Sequence, residues 1–424
     1  MSVNFKFNKI QLQRTRPDKY KFPIGLSSGF LTPTGNSASV TEGGLQTCLA
    51  GGDGTPGTVA AGNTFHTFAN PSGSGTFTPS FTGDIDLLVV AAGGGGGFCG
   101  GGGGGGGIAF AQNFPVIAGR DYTVSVGAGG ALGNDGSPTG SGPGHNGANS
   151  SFKDSVTNVE VVGIGGGGGH GIPSFPSNSA TSDRFVRSQF GGSAGGAGSL
   201  PALSPLRTPG TPATQPSQNE GISGVSNFGQ ASGDSTWNVN PHPALGSNGG
   251  GGGAGQEGGG NQPTSVAQEI GGKAPGGTAS TAESGGTGIN FAGFAEAGVG
   301  TSGGFGIGLS SPQSAGFFGG GGGAGGWYDP GDARVVGLGG AGGGGGAPFS
   351  PASEPGSTAP NGTGLANTGG GGRGGSGMAS NLTPFVINRS GTPSDADGPK
   401  AGGSGIVVIK YRTDANAVTG FFIS

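Results

Sequence analysis

The residues of this 424-residue chain best suited to catalysis or metal binding are four histidines, two cysteines and a few spaced carboxylates. His66, His145, His170 and His242 are isolated in the sequence and read as loop or surface positions, not as metal ligands. Cys48 and Cys99 lie far apart with no metal-type spacing, so neither a metal knuckle nor a disulfide framework is expected. Asp84 and Asp86 alternate along a strand-like run and read as strand-edge residues, not as a general acid–base pair. Asp329/Asp332 and Asp395/Asp397 stand in turn-like sequence, where aspartate is common for backbone reasons. Gly25-Leu26-Ser27-Ser28-Gly29 and Gly191-Gly192-Ser193-Ala194-Gly195 fit the nucleophile-elbow pattern, but neither has its strand-to-helix context. Gly271-Gly272-Lys273 is followed by Ala274, which removes the phosphate-loop reading, and the many G-x-G-x-x-G matches follow from glycine content alone. Asn149-Ser150-Ser151 and Asn361-Gly362-Thr363 match glycosylation acceptors, relevant only to a secreted eukaryotic chain. The expectation is a protein that is not an enzyme and uses no cofactor.

What remains is recognition chemistry. Trp237, Trp327 and Tyr328 combine a flat apolar face with a polar handle, which suits sugars and protein surfaces alike. Trp327-Tyr328-Asp329 follows a glycine block directly, and Trp237 has His242 nearby, so these five are the candidate recognition residues. Local packing within loops is the competing reading. At the other extreme, Lys6, Lys9, Arg14 and Arg16 belong to a basic N-terminal stretch that reads either as a solvated arm or as an attachment segment. The formal net charge of −4 gives no footprint for nucleic acid. The first ten residues lack the pattern of a signal peptide, and no stretch approaches a membrane span.

The elements that must position such loops are unusual. Gly 110 and Pro 29 make up about a third of the chain, a range that ordinarily signals disorder. Only 31% is hydrophobic and 9% charged, so the chain lacks both core formers and solvating charge. Gly93–Gly107 holds thirteen glycines in fifteen residues, directly after the apolar run Asp84–Ala92. Glycine loses the most backbone freedom on folding. Such a run stays ordered only if neighbouring extended chains satisfy its N–H and C=O groups, as in a polyproline-II-like helix of three residues per turn. Strands are expected at Thr64–Phe68 and Gly75–Phe81 (half-buried), Leu87–Ala91, Ile108–Phe114, Tyr122–Val126, Val156–Val162 and Ile406–Tyr411. Helix signals are almost absent. Between Gly163 and Gly403, glycine blocks alternate irregularly with Pro/Ser/Thr/Asn segments, which excludes a fixed-period solenoid and collagen. Phenylalanine, at 25 residues, is the expected source of most apolar burial. The resulting expectation is an all-β fold with extended polyglycine II helices, in which N- and C-terminal strands close a β scaffold around a glycine-rich bundle.

Phe81–Gly107 (FTGDIDLLVVAAGGGGGFCGGGGGGGG) with Tyr122–Gly130 (YTVSVGAGG) resembles the opening of the glycine-rich domain of tailed-phage tail fibres and adhesins. Gly402–Arg412 (GGSGIVVIKYR) is similar to the way that domain closes. The resemblance implies a virion appendage that stacks polyglycine II helices and presents host-recognising loops at the bundle's end. It divides the chain into an attachment arm at 1–62, a glycine-rich domain at 63–413 and a tail at 414–424. The implied partners are other virion tail proteins, reached through the arm, and a host-surface glycan or protein, with neither nucleic acid nor membrane insertion. The expected assembly is a homo-oligomer, a trimer being the form anticipated. A purely structural decoration or surface filament is the alternative, and an ice-binding protein a more distant one that regular threonine rows would favour.

Overall fold

Consecutive apolar residues at Leu87–Val90 and Ile406–Ile409 form strands that need cover on both faces, and the chain supplies it in layers. The computed structural model describes residues 38–42, 58–60, 63–71, 73–98, 100–133, 142–171, 188–198, 210–238, 245–259, 284–295, 316–325, 327–328, 337–346, 362–375, 377–380, 386–387 and 398–412. In chain order the first strands are β1 (Ala38–Glu42), β2 (Thr58–Ala60), β3 (Asn63–Phe68), β4 (Ser74–Pro79), β5 (Gly83–Val90), β6 (Ile108–Val116), β7 (Tyr122–Ser125), β8 (Ser150–Asp154) and β9 (Glu160–Gly163). Then come β10 (Val225–Phe228), β11 (Thr236–Asn238), β12 (Leu245–Ser247), β13 (Ile289–Asn290), the one-turn helix α1 (Ala292–Ala295) and β14 (Phe317–Phe318). The last are β15 (Trp327–Tyr328), β16 (Gly377–Ser380), β17 (Val386–Ile387) and β18 (Ile406–Arg412). Among the described residues the regular structure is mostly antiparallel strand, and 3% is helical.

A five-stranded sheet, β1-β4-β7-β8-β9, packs against a six-stranded sheet, β10-β6-β5-β18-β3-β2. Strand β18 pairs with both β3 and β5, bringing Val408 beside Thr67 and Leu88 from more than 300 residues earlier. One core lies between the sheets and includes Phe68, Phe77, Leu87, Val89, Tyr122, Phe152, Val407 and Ile409. The opposite face of the six-stranded sheet carries Phe65, Leu88, Val90, Ile108, Ile406 and Val408, covered by Ala254, Phe294 and Phe318. Most of the phenylalanines described belong to these two layers, although Phe190 is 59% exposed.

This double cover corrects several expectations. Strand β3 is buried along nearly its whole length, not half-buried, because both faces are covered: His66 packs on Phe77 and Tyr411 between the sheets, and Phe65 on Phe294 at the opposite face. His66 Nε2 and the Tyr411 hydroxyl are 2.8 Å apart in a buried hydrogen bond. Asp84 and Asp86 lie within the first four residues of β5, a strand central in its sheet, with Asp84 exposed. Asp86 sits in a bulge between Ile85 and Leu87, accepts the Asn113 N–H at 3.2 Å and faces Lys410 Nζ at 3.7 Å. The run Val156–Val162 divides into a turn and the short strand β9, and β8 before it went unrecognised. The Asp154 carboxylate accepts the N–H groups of Val156 and Thr157, and Asn158 takes the left-handed conformation at φ 59°. These local bonds reverse the chain where residue types alone favour strand.

From the sandwich, extended glycine segments run out and back, with hydrogen bonds that repeat every third residue. Gly93 and Gly96 donate to Gly403 and Lys400, Gly94 and Gly97 to Gly104 and Gly101, and Gly95 and Phe98 to His145 and Gly142. Segment 93–98 in turn accepts from Gly130 and Gly133, from Gly372 and Gly375, and at Gly95 from Gly169. Its partners therefore surround it. Segment 100–107 is surrounded likewise, by 93–98, 164–171, 193–196, 249–252, 319–325 and 369–375. A Cβ on Gly96 would fall inside the Arg373 carbonyl oxygen, and one on Gly103 inside that of Gly94, so this spacing admits only glycine. At the outside of the array, side chains replace the missing neighbour. Asn146 Oδ1 and Asn149 Oδ1, three residues apart, accept the N–H groups of Gly168 and Gly165, also three apart.

A net gain of roughly 0.5–1.5 kcal/mol per hydrogen bond scarcely offsets the roughly 1–2 kcal/mol needed to fix one residue's backbone. The glycine segments therefore depend on the sandwich core to anchor their ends.

Candidate functional site

Register fixes which end of the glycine array is which. Segment 91–98 leaves β5 and pairs with 398–405, which runs into β18, so Phe98 and Gly398 lie away from the sandwich. At this distal end the chain departs from the array near Gly133, His170, Gly198, Ser235, Gly325, Gly346 and Gly375, and rejoins it further along the sequence. Glycine carries no side-chain chemistry, so at this end side chains come from the segments between these roots.

Two pairs of roots are joined directly. Asn248 Nδ2 donates to the Gly325 carbonyl at 2.6 Å, and Ser235 Oγ donates to the Gly198 carbonyl at 2.9 Å. Asn248 is fully buried, and its amide ties the start of one distal excursion to the end of another. Beyond Ser235, Trp237 pairs with Gly246 in the β11–β12 ladder. Beyond Gly325, Trp327 and Tyr328 form β15, paired in parallel with Gly377 and Met378 of β16, which pairs in turn with β17. Strand β12 lies against β15. The backbone thus brings Trp237, Trp327 and Tyr328 onto neighbouring short ladders at one end of the molecule. His242 and Asp329 lie outside the described residues, as do Lys6, Lys9, Arg14 and Arg16 of the arm.

Polar residues that the sequence did not single out hold the distal roots. Arg373, 2% exposed within the block Gly369–Gly377, donates from Nη2 to the Gly398 carbonyl at 3.1 Å. Its backbone oxygen accepts from Lys400, another buried cation. The available signal was a single long charged side chain inside a glycine run. His170 ends a glycine block; its carbonyl accepts from Gly101 and its N–H donates to Gly196. Burial pulls its imidazole down to about 4, leaving it neutral at physiological pH. Ser193, the nucleophile-elbow candidate, is fully buried between glycine segments, with its N–H on Gly105 and its carbonyl on Gly167. His66 is engaged with Tyr411 and His145 is exposed. Among the described residues no group of three His, Cys, Asp or Glu is placed to hold a metal, and no helix is long and apolar enough to cross a membrane. No family model matches the chain, and no curated protein is significantly similar to it.

Proposed function

We propose that the protein is a non-enzymatic virion component, a tail fibre or adhesin of a tailed phage, that presents distal loops to a host-surface glycan or protein. The observation that carries this reading is polarity. The first and last described residues, Ala38 and Arg412, pair with Pro79 and Asn63 at the sandwich pole, where β5 begins. The ladders bearing Trp237, Trp327 and Tyr328 stand at the opposite end of the glycine array. An appendage fixed by its termini and recognising by its tip needs this arrangement.

The glycine segments are read as polyglycine II helices. Hydrogen-bond directions that recur every third residue support this, because three residues per turn is that helix's repeat. Positive φ angles support it too: among the described residues they occur at turns and segment ends such as Gly319, Gly342 and Gly369, not along 93–98 or 100–107. In this reading β18, placed between β3 and β5, closes the scaffold around the bundle. The arm with Lys6, Lys9, Arg14 and Arg16 contacts other tail proteins, and several copies of the chain, in a trimer, raise avidity at the host surface.

Antibodies against the loops around Trp237 and Trp327 test the reading directly. They are expected to label the outer end of an appendage on the particle and to block adsorption to the host. Labelling of the capsid, or of no particle at all, would remove the adhesin reading. Exchange of those loops with retained host binding would remove the named residues from it.

A further inference from the structure

The two aromatic-bearing ladders at the distal end are short. Strands β11 and β12 have three residues each and β15 has two, and strand pairs of that size are marginal in water on their own. Their placement must come from their roots. Asn248 follows Ser247, the last residue of β12, and Gly325 stands two residues before Trp327. Across the ladder, Trp237 pairs with Gly246, two residues before Asn248. The Asn248–Gly325 hydrogen bond at 2.6 Å therefore joins the bases of both ladders. Both ends of the bond are seated in the array, with the Gly249 N–H on the Ala197 carbonyl and the Gly325 N–H on that of Gly100. Asn248 directly precedes the glycines Gly249–Gly253. A further glycine in its place would continue the block but would leave the buried Gly325 carbonyl without this donor.

We propose that Asn248 is a positioning residue, whose amide joins the Trp237 ladder and the Trp327–Tyr328 ladder into one recognition unit. The proposal rests on reading these ladders as the recognition face. A buried amide is costly to desolvate, and here it is held in a bond that fixes direction as well as distance, which an apolar contact does not. Strand β12 also lies against β15, but contact between strands this short does not fix their relative placement. With the bond intact, a ligand meets both ladders in one arrangement. Without it, each ladder moves on its own root, and binding must first order the two.

The chain has two tryptophans, Trp237 and Trp327, so single-tryptophan chains carrying Trp327→Phe or Trp237→Phe report on one ladder each. In both, Asn248→Asp at neutral pH removes the donor and sets a carboxylate against the Gly325 carbonyl. Acrylamide quenching is expected to rise for Trp237 and for Trp327 alike. Amides of β11, β12 and β15 should exchange about tenfold faster, with β5 and β18 unchanged. As pH falls, the buried carboxyl takes up a proton at a value raised by burial and donates again, so quenching returns to that of the asparagine chain at the same pH. A response confined to Trp237 would overturn the proposal, because Asn248 would then serve its own ladder alone. No response at either tryptophan, or no recovery on acidification, would overturn it as well. If Asn248→Asp also loosens β5, Asn248→Ala in the same two chains decides. Adsorption to host cells is scored separately and is expected to weaken about tenfold with Asn248→Asp. Equal adsorption of the two chains would remove the positioning role, whereas an unaltered chain that does not adsorb would remove the adhesin reading and leave the coupling to the fluorescence result.

Discussion

At Gly103 the neighbouring carbonyl of Gly94 occupies the space that any side chain would need, and at Gly96 the carbonyl of Arg373 does the same. Backbone cannot swing aside as a flexible side chain can. Gly103→Ala must therefore separate two segments and break the bonds from Gly103 to Gly372 and from Gly322 to Gly103. The expected loss is on the order of 3 kcal/mol or more. Gly293→Ala is the control: its nearest neighbour is the mobile end of Lys410, it lies in α1, and it should be neutral or stabilise by up to about 1 kcal/mol. Urea midpoints of the two variants check the contrast. His170 adds a pH dependence. Its folded value of about 4 lies below the ordinary 6.5 because of burial. Between these values the unfolded chain binds a proton that the folded chain refuses, so stability is full above pH 6.5 and declines down to pH 4. The decline amounts to about 3 kcal/mol. A His170→Gln variant, followed by denaturant titration from pH 8 to 4, should lose that part of the slope; an unchanged slope would contradict burial of the imidazole.

Among the elements, the β8–β9 turn depends on one carboxylate. Burial raises the Asp154 value, but bonds from Val156, Thr157 and Arg120 outweigh it and hold the group at about 2. Its stabilisation is therefore present above about pH 4 and disappears as pH falls to 2. Asp154→Ala should cost about 2 kcal/mol at neutral pH and nothing additional near pH 2, as thermal melts across that range would show. The same turn illustrates what could be read from residue types. Val156–Val162 has strand composition, yet the Asp154 and Asn158 backbone bonds are specific to this context, and composition does not report them. Strands β5 and β18 were legible as continuous apolar runs, β6 because it follows the glycine run directly, and β7 because Tyr122–Val126 alternates apolar and polar residues. The burial of both faces of β3 was not, since Phe65 is covered by Phe294, which arrives from more than 220 residues away. At the candidate site, Trp237 and Trp327 stood out as rare aromatics with a polar handle, whereas Asn248, which ties their loop roots together, looked like ordinary loop sequence.

For the whole molecule, two quantities that normally rise together should separate. Urea sensitivity follows total surface exposed on unfolding, including peptide groups. The heat-capacity change instead weighs apolar exposure positively, at about 0.45 cal/K/mol/Å², and polar exposure negatively, at about −0.26. Ordinary domains bury both in similar proportion and give about 12–15 cal/mol/K per residue. Here the apolar burial is concentrated in the two sandwich layers, while segments such as 93–107 bury peptide groups against peptide groups. Unfolding should therefore show a urea m-value normal for an ordered chain of this size, with a heat-capacity change per residue clearly below the usual range. Calorimetry and urea titration on the same sample make the comparison. If both quantities are low, the glycine segments are already solvated in the native protein and give the distal ladders no rigid support. If both are normal, apolar contacts and not paired amides order the array. Only a normal m-value with a low heat-capacity change is what an array built from mutually satisfied backbone requires.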